Sequence, residues 1–358
     1  MPRVLFLAGA SSIHTIRWAN AIVDRGYEVH LLSLHPVRDR LDPKVLFNRA
    51  PFPPRWGYFV NWLWVRRLVA QVKPDLVHAH YATGYGILAA LAGFHPAILS
   101  VWGTDVYEFP HQSFLHKNLL RYSLSKADKI LSTSHAMAKE TSKYTDKPIG
   151  VTPFGVDLSQ FRPQPVISLF NTTDIVIGTV KTLEDKYGIK YLIQAFSLVK
   201  HRHPGWPLKL LIVGGGSQEA YLKNLVRELG IVKATTFTGQ IPHDQVPKYH
   251  NMLTISISVS VSDSESFGVA VIEASACEKP VVVSTVGGLP EVVEDGVTGI
   301  IVQPRSPQQT ADAIERLILD KDLRVKMGKA GRERVSRLFN WDDNVRQMKE
   351  VYREVLQT

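Results

Sequence analysis

Apolar residues in this chain fall into short blocks, separated by longer stretches in which they recur every three or four positions. That pattern predicts buried strands alternating with amphipathic helices. Blocks at Val4–Leu7, Glu28–Leu34, Asp75–Ala79, Ala97–Val101, Lys129–Thr133 and Ile149–Pro153 read as parallel strands. Helical spacing fills the gaps, including His14–Arg25 and one continuous helix over Trp56–Gln71. The alternation pauses at Phe161-Arg-Pro-Gln-Pro165 and restarts with strands at Ile175–Val180, Leu208–Val213, Ala234–Thr238, Leu253–Val259, Pro280–Ser284 and Gly299–Val302. The two prolines mark a linker, which places a first domain at residues 1–163 and a second at 164–340. Repeated βα units in both halves predict an α/β protein of two Rossmann-like, doubly wound parallel-sheet domains. Ligands of such sheets sit beyond the carboxyl ends of the strands, which puts the expected site in a cleft between the domains.

Composition narrows the classes. With 45% hydrophobic and 21% charged residues, the 358-residue chain has the make-up of a soluble globular enzyme. One cysteine, Cys277, excludes a disulfide framework and a cysteine-based zinc site, and its apolar helical setting reads as a core thiol. The first residues read as a strand rather than a signal peptide, and no run is long enough to span a bilayer, so the expected location is cytoplasmic. The net charge of +9 is uneven: residues 1–160 hold 18 Lys and Arg against 11 Asp and Glu, residues 161–358 hold 24 against 22. A basic first half points to an anionic partner, a lipid surface or a polyanionic acceptor. Nucleic acid is disfavoured, since no zinc knuckle, helix-turn-helix or RNA-reading aromatic motif occurs.

The chemistry concentrates in Ser264-Glu-Ser-Phe-Gly-Val-Ala-Val-Ile-Glu273, where two carboxylates stand eight positions apart across a glycine that opens an apolar helix. The helix start offers the amides of Phe267, Gly268 and Val269 to an anion, a phosphate or a departing diphosphate. Glu273 lies in an apolar setting where a carboxylate needs a partner. Two readings stand for it: a ligand for a sugar diol, or a surface group paired with Lys279. Lys181 and Lys186 follow the first strand of the second half, at a position to clamp a diphosphate. Glycine turns at Gly9, Gly214-Gly-Gly216 and Gly287-Gly288 allow close backbone approach or simply tight strand-to-helix turns. None matches G-x-G-x-x-G with a following acidic residue, and no P-loop motif occurs, which disfavours nicotinamide enzymes and excludes P-loop NTPases.

Taken in order, Gly155-Val-Asp157, Lys186, Gly214, Glu265-Ser-Phe-Gly268, Glu273-Ala, Pro280-Val-Val, Gly287-Gly-x-Pro-Glu291 and Asp295-Gly-x-x-Gly299 closely resemble the retaining nucleotide-sugar glycosyltransferases of family four. The resemblance covers nearly the whole chain and implies the GT-B fold, two Rossmann-like domains facing each other across a cleft. It implies that residues 1–163 bind the acceptor and 164–340 the donor, with the helix of residues 341–358 crossing back onto the first domain. It further implies Glu273 on the donor ribose, Lys186 with Lys181 on the diphosphate, and Glu265, Ser266, Phe267, Gly268 and Val269 around the sugar and phosphate. Glu265 and Lys186 are the implied catalytic residues. The backbone near Ile241 would receive the base, and Gly9 and Gly214 would approach the diphosphate.

Departures fall mainly on the acceptor side. Lys181 and Thr182 stand where an arginine is frequent, so a point charge replaces a bidentate fork. A frequent His-Gly-x-Asp is here Trp102-Gly-Thr-Asp105, leaving Asp105, Trp102 and His14 as acceptor-side candidates. The implied reaction is retaining transfer of a UDP- or GDP-linked sugar to a hydroxyl of a glycan or lipid-linked acceptor (EC 2.4 class). No metal and no cofactor beyond the nucleotide sugar is implied, and no general base is assigned. Two carboxylates could instead serve glycoside hydrolysis, but that leaves the phosphate-binding features unexplained. A nucleotide-sugar-binding subunit without activity and a GT-B-like epimerase are the alternatives. Aromatic and basic residues interleave over Arg55–Arg67, and with Lys117, Arg121, Lys126 and Lys129 they suggest a peripheral face for an anionic membrane. A core helix with snorkelling arginines accounts for the same pattern.

Overall fold

The computed structural model describes residues 1–357, apart from the side chain of Arg55. Arg55, within the expected membrane face, and Thr358, at the end of the expected last helix, therefore lie outside the described residues. The chain divides into two compact units, one of Met1–Pro153 with the segment from Asp342 onward, the other Phe154–Trp341.

The first unit holds a seven-stranded sheet of β1 (Arg3–Leu7), β2 (Glu28–Ser33), β3 (Leu46–Arg49), β4 (Leu76–His80), β5 (Ala97–Ser100), β6 (Lys129–Ser132) and β7 (Ile149–Val151). The second holds β8 (Ile175–Val180), β9 (Leu208–Val213), β10 (Thr235–Phe237), β11 (Ile255–Ser258), β12 (Val281–Ser284) and β13 (Gly299–Val302). All pairings are parallel, in the orders 3-2-1-4-5-6-7 and 10-9-8-11-12-13. Each sheet thus reverses its winding once, between β1 and β4 and between β8 and β11. Those two switch points are where doubly wound sheets open a crevice for ligands.

Three local differences from the expected elements have physical causes. Strand β3 has no apolar run because it is an edge strand, paired only with β2 and largely exposed. The helix expected over Trp56–Gln71 is two, Pro54–Val60 and Trp62–Val72, broken at Asn61. The fully buried Asn61 side chain donates to the Phe52 carbonyl at 2.9 Å and accepts from its amide at 3.3 Å, which ties the break to the preceding loop. The boundary between units lies at 153/154, ten residues earlier than expected. Residues 154–163 belong to the second unit because Val156 bridges to Asn340, and the buried Phe161 gives its carbonyl to Arg332.

Helix Trp341–Gln357 packs against the first sheet through Val345, Met348 and Tyr352. Tyr352 is fully buried, and its hydroxyl lies 2.8 Å from His78 Nδ1, while His78 Nε2 lies 2.8 Å from Ser100 Oγ. Burial holds the His78 imidazole down at about 3. His80, two residues on along the same strand face, is held well below its ordinary value by burial, with His78 and His14 adding to it.

These neutral histidines give the first unit an acid sensitivity of fixed sign. An unfolded histidine takes a proton near pH 6.5 and folded His78 only near 3, so its contribution is whole above 6.5 and fades as pH falls toward 3. Urea denaturation at stepped pH values should show this unit losing up to about 1.4 kcal/mol per pH unit through His78 across that window. The slope should be shallower in His78→Gln; an unchanged slope would show that His78 is not the group responsible.

Candidate functional site

The carboxyl-end loops of the second sheet are locked together by glycines packed against carbonyl oxygens. Gly214 adopts φ 134°, and a Cβ there would lie 2.1 Å from the Lys181 carbonyl. Gly188 (φ 63°) faces the Val259 carbonyl and Gly287 (φ 52°) the Glu265 carbonyl, each with the same 2.1 Å approach. Gly288 donates its amide to the Glu265 carbonyl at 3.0 Å, and Gly287 donates to Asp263 Oδ1 at 3.0 Å. The glycine pair at 287–288 therefore supports the loop that carries Glu265. Side chains at these positions would push apart the loops after β8, β9, β11 and β12.

On this frame the charged groups assemble at the β8/β11 switch point. Lys181 Nζ lies 2.7 Å from Glu265 Oε2, with Ser260 Oγ donating to the same oxygen at 3.3 Å. Burial works against the Lys181 charge, but Glu265, Tyr187 and Glu273 outweigh it and raise its pKa above the ordinary lysine range. Its ammonium also sits 4.2 Å over the Tyr187 ring, while Lys186 Nζ lies 5.3 Å from that ring. Lys181, expected on the diphosphate, is placed here against Glu265, whose carboxylate it neutralises. Lys186 lies in the short turn Asp185–Tyr187, and its carbonyl accepts the Val261 amide at 2.8 Å. The loop is clasped further where Glu184 accepts from the amide and hydroxyl of Ser217.

Gly268 (φ 100°) turns the chain into helix Val269–Ala276, whose first amides have no intrahelical acceptor. Glu273, one turn in, is only 6% exposed. Its partner is not Lys279, which donates instead to the Asn251 carbonyl. It is His250, fully buried on helix Val246–Met252, with Nε2 3.5 Å from Glu273 Oε2. Cys277, at the end of helix Val269–Ala276, is buried and its thiol is pushed up to about 12, as a core thiol should be. Ile241 lies just past Gly239, half-buried against Val213 and Leu253.

In the first unit, a cavity of about 450 Å³ opens at the β1/β4 switch point. Gly9, Ser12 and Thr15 from the β1 side, His80 and Tyr81 from the end of β4, and Trp102 after β5 line it. Gly9 has ordinary room for a Cβ, 3.5 Å from the nearest atom, so packing within the unit does not demand glycine. Tyr81 holds a left-handed backbone (φ 80°), with its hydroxyl bonded to Thr104 Oγ1. Strain of that kind in a bulky residue persists where the surroundings enforce it. His14 stands edge-on to Trp102 at 6.1 Å. Asp105, expected on the acceptor side, does not reach the cavity. Fully buried, it accepts the Ala82 and Gly103 amides at 2.8 Å and that of Trp102 at 3.2 Å. Burial raises its pKa while those amides pull it back, and its work is to tie the β4 and β5 loops together.

Comparison with known proteins settles the family. Residues 160–334 match the model described as glycosyl transferases group 1, and residues 3–134 that of glycosyl transferase 4-like proteins. The D-inositol 3-phosphate glycosyltransferase of Acidothermus cellulolyticus is 31% identical over 98% of this chain and 86% of its own length. The chain belongs to the GT4 glycosyltransferases. A second relative of this glycosyltransferase is the GDP-mannose-dependent alpha-(1-6)-phosphatidylinositol monomannoside mannosyltransferase of Mycobacterium tuberculosis. It is 33% identical over 53% of the chain, which spans about half (52%) of that relative's length. Sucrose-phosphate synthase from Thermosynechococcus elongatus has the same GT-B fold, with a TM-score of 0.85 at 22% identity over the whole of both chains.

Several site residues of the glycosyltransferase escaped sequence reasoning. His250 carries no local motif. His80, which lines the cavity, did leave a signal, since it and His78 put two imidazoles on one face of an otherwise apolar strand, and Tyr58 and Tyr85 reach the cavity only through folding.

The buried pair makes a direct prediction. Lys181→Met should strand the Glu265 carboxylate and destabilise the second unit by roughly 3 kcal/mol. Lys181→Met with Glu265→Leu should recover most of that in thermal denaturation. If the double variant is as unstable as Lys181→Met alone, the ion pair is not what Lys181 contributes.

Proposed function

We propose that this glycosyltransferase moves a sugar from a UDP- or GDP-linked donor to a hydroxyl acceptor with retention at the anomeric carbon. The second unit binds the donor and the first the acceptor. The observation that carries the reading is that Glu265 and buried Glu273 flank the start of helix Val269–Ala276 with Lys181 paired to Glu265, while Lys186 shares the Tyr187 ring with Lys181. In this reading Glu273, with His250 beside it, takes the ribose hydroxyls. Lys186 and the amides of Phe267, Gly268 and Val269 take the diphosphate, stabilising the charge that develops as it leaves. Glu265, oriented by Lys181 and Ser260, meets the sugar beside Ser266, while Ile241 borders the base and Gly9 and Gly214 approach the diphosphate.

We read the reaction as independent of metal, because the carboxylates of Asp263-Ser-Glu265 are committed to the Gly287 amide and the Lys181 ammonium. The GDP-mannose dependence named for the mycobacterial relative supports a GDP-linked donor as one of the two options. Its phosphatidylinositol mannoside acceptor supports a place in cell-surface polysaccharide, glycolipid or lipid-linked oligosaccharide synthesis.

A peripheral, cytoplasmic-face location accords with the surface of the first unit. Trp56 (70% exposed), Phe59, Val60 and Leu63 stand out on helices 54–60 and 62–72, and Phe114 (79%) and Leu115 on helix 114–126. Arg67, Arg121 and Lys126 are exposed on those helices. Arg66 and Lys129 are engaged internally, with the Ala92 carbonyl and Glu354. No described helix is long and apolar enough to cross a membrane.

Thermal-shift screening of UDP-, GDP- and ADP-sugars, with mass spectrometry of products, tests the reading. One nucleotide sugar should raise Tm well above its free sugar, and the product should keep the donor's anomeric configuration. If no nucleotide sugar stabilises the protein beyond the free sugar, the donor site is misread. Sedimentation with anionic vesicles at low salt should carry the protein down, and Trp56→Ser with Phe59→Ser should release it; a soluble wild type would remove the membrane claim.

A further inference from the structure

Glu273 is a carboxylate in a setting that excludes water. Its helix, Val269–Ala276, is otherwise apolar or small, and buried from Val271 onward. A charge in such a place must be met by a cation or a hydrogen-bond donor. Two lysines of this unit are directed elsewhere. Lys279 Nζ donates to the Asn251 carbonyl at 3.2 Å, and Lys181 Nζ pairs with Glu265 at 2.7 Å, with Glu273 a lesser, through-space influence on it. The side chain set against Glu273 is His250, whose Nε2 lies 3.5 Å from Oε2.

The imidazole itself is the anomaly. His250 is fully buried, and neither ring nitrogen makes a hydrogen bond among the described residues. Phe161 stands edge-on to the ring at 6.2 Å. The backbone beneath it is tied down by the next residue: Asn251 Nδ2 donates to the Pro247 and Arg162 carbonyls at 2.9 and 3.0 Å, and the Asn251 carbonyl takes Lys279, just beyond helix Val269–Ala276. Ring and carboxylate are thus carried on two helices that are linked to each other. A buried imidazole without a hydrogen bond is costly and calls for an explanation, since an apolar side chain would fill the space without that cost. An ionised carboxylate only accepts, so what Glu273 offers is an acceptor for a proton on Nε2. At 3.5 Å the two atoms stand a few tenths of an ångström outside hydrogen-bonding range.

We infer that His250 is a positioning residue for the donor's ribose: nucleotide binding closes the gap between His250 and Glu273, Nε2–H donates to Oε2, and the carboxylate is held in the orientation that meets both ribose hydroxyls. The inference rests on the proposed donor reading, in which Glu273 takes those hydroxyls, and adds the residue that sets how strictly an intact ribose diol is required. His250 acts through Glu273; it touches no substrate and transfers no proton.

The experiment titrates UDP and GDP, each beside its 2′-deoxy analogue, into the intact protein by calorimetry. The wild type should bind the better of the two diphosphates at least about tenfold more tightly than its 2′-deoxy form. His250→Leu, which fills the space but cannot donate, should cut that ratio to about threefold or less. His250→Gln, whose amide nitrogen can donate from a similar position, should bring the ratio back to within about threefold of the wild type. Equal ratios in wild type and His250→Leu would overturn the inference, as would an equal loss in His250→Leu and His250→Gln, which would mark the ring as packing only. A second measurement needs no core substitution to fold: in ¹⁵N-histidine-labelled wild type, saturation with the diphosphate should move the His250 Nε2 resonance, and a resonance that stays put would also overturn it. Glu273→Gln separates this inference from the reading beneath it. That variant should lose the preference for the diol as well; if it keeps the wild-type ratio, the ribose assignment of Glu273 is what fails.

Discussion

The candidate donor site depends on carbonyl oxygens that lie where a side chain would otherwise begin. At Gly188, Gly214 and Gly287, each with positive φ, a Cβ would fall 2.1 Å from the carbonyl of Val259, Lys181 or Glu265. Backbone therefore packs directly on backbone across the loops following β8, β9, β11 and β12. Loops normally carry the mobility of a fold, yet these are pinned at several points, and the clasp of Glu184 on Ser217 adds another. The gain is positional. The spacing of charged side chains carried on such loops is set by backbone packing, the preorganisation that electrostatic stabilisation of a leaving diphosphate requires.

Rigid loops allow charges to be buried that would otherwise be costly. Glu265 and Glu273 are both nearly shielded from water, and each has a cationic or protonatable neighbour, Lys181 at 2.7 Å and His250 at 3.5 Å. A buried pair contributes little net stability, and its value lies in fixing a conformation. Here it fixes two carboxylates on either side of one helix start. The first unit treats its buried titratable groups differently. His78, His80 and Asp105 are held by burial, hydrogen bonds and ring contacts rather than by opposite charges. One switch point is thus built around charge and the other around neutral, aromatic surface.

Most of the architecture was legible in the chain because both sheets are parallel and buried, and buried strands leave continuous apolar runs. Strand β3 was not, since an edge strand needs no such run. The break at Asn61 was hidden because a side chain bonding back to Phe52 leaves no trace in helical periodicity. Among the candidate residues, Glu265, Gly268, Glu273 and Lys186 stood out because they share one local stretch or one loop. The partners of those residues could not. His250 meets Glu273 only through the packing of two helices, and the pairing of Lys181 with Glu265 spans the loops after β8 and β11. Asp105 misled for a related reason: a carboxylate after a strand looks like a ligand until its backbone amide partners are seen.

The central claim is that Glu273 and Lys186 serve different parts of one donor. Calorimetric titration of the preferred nucleoside diphosphate, and of the corresponding monophosphate, into wild type, Glu273→Gln and Lys186→Ala tests it most directly. Glu273→Gln should weaken both nucleotides by the same factor, about tenfold or more, because it removes a ribose contact. Lys186→Ala should weaken the diphosphate far more than the monophosphate. Binding unaffected by Glu273→Gln, or equal losses for both nucleotides in Lys186→Ala, would contradict the assignment.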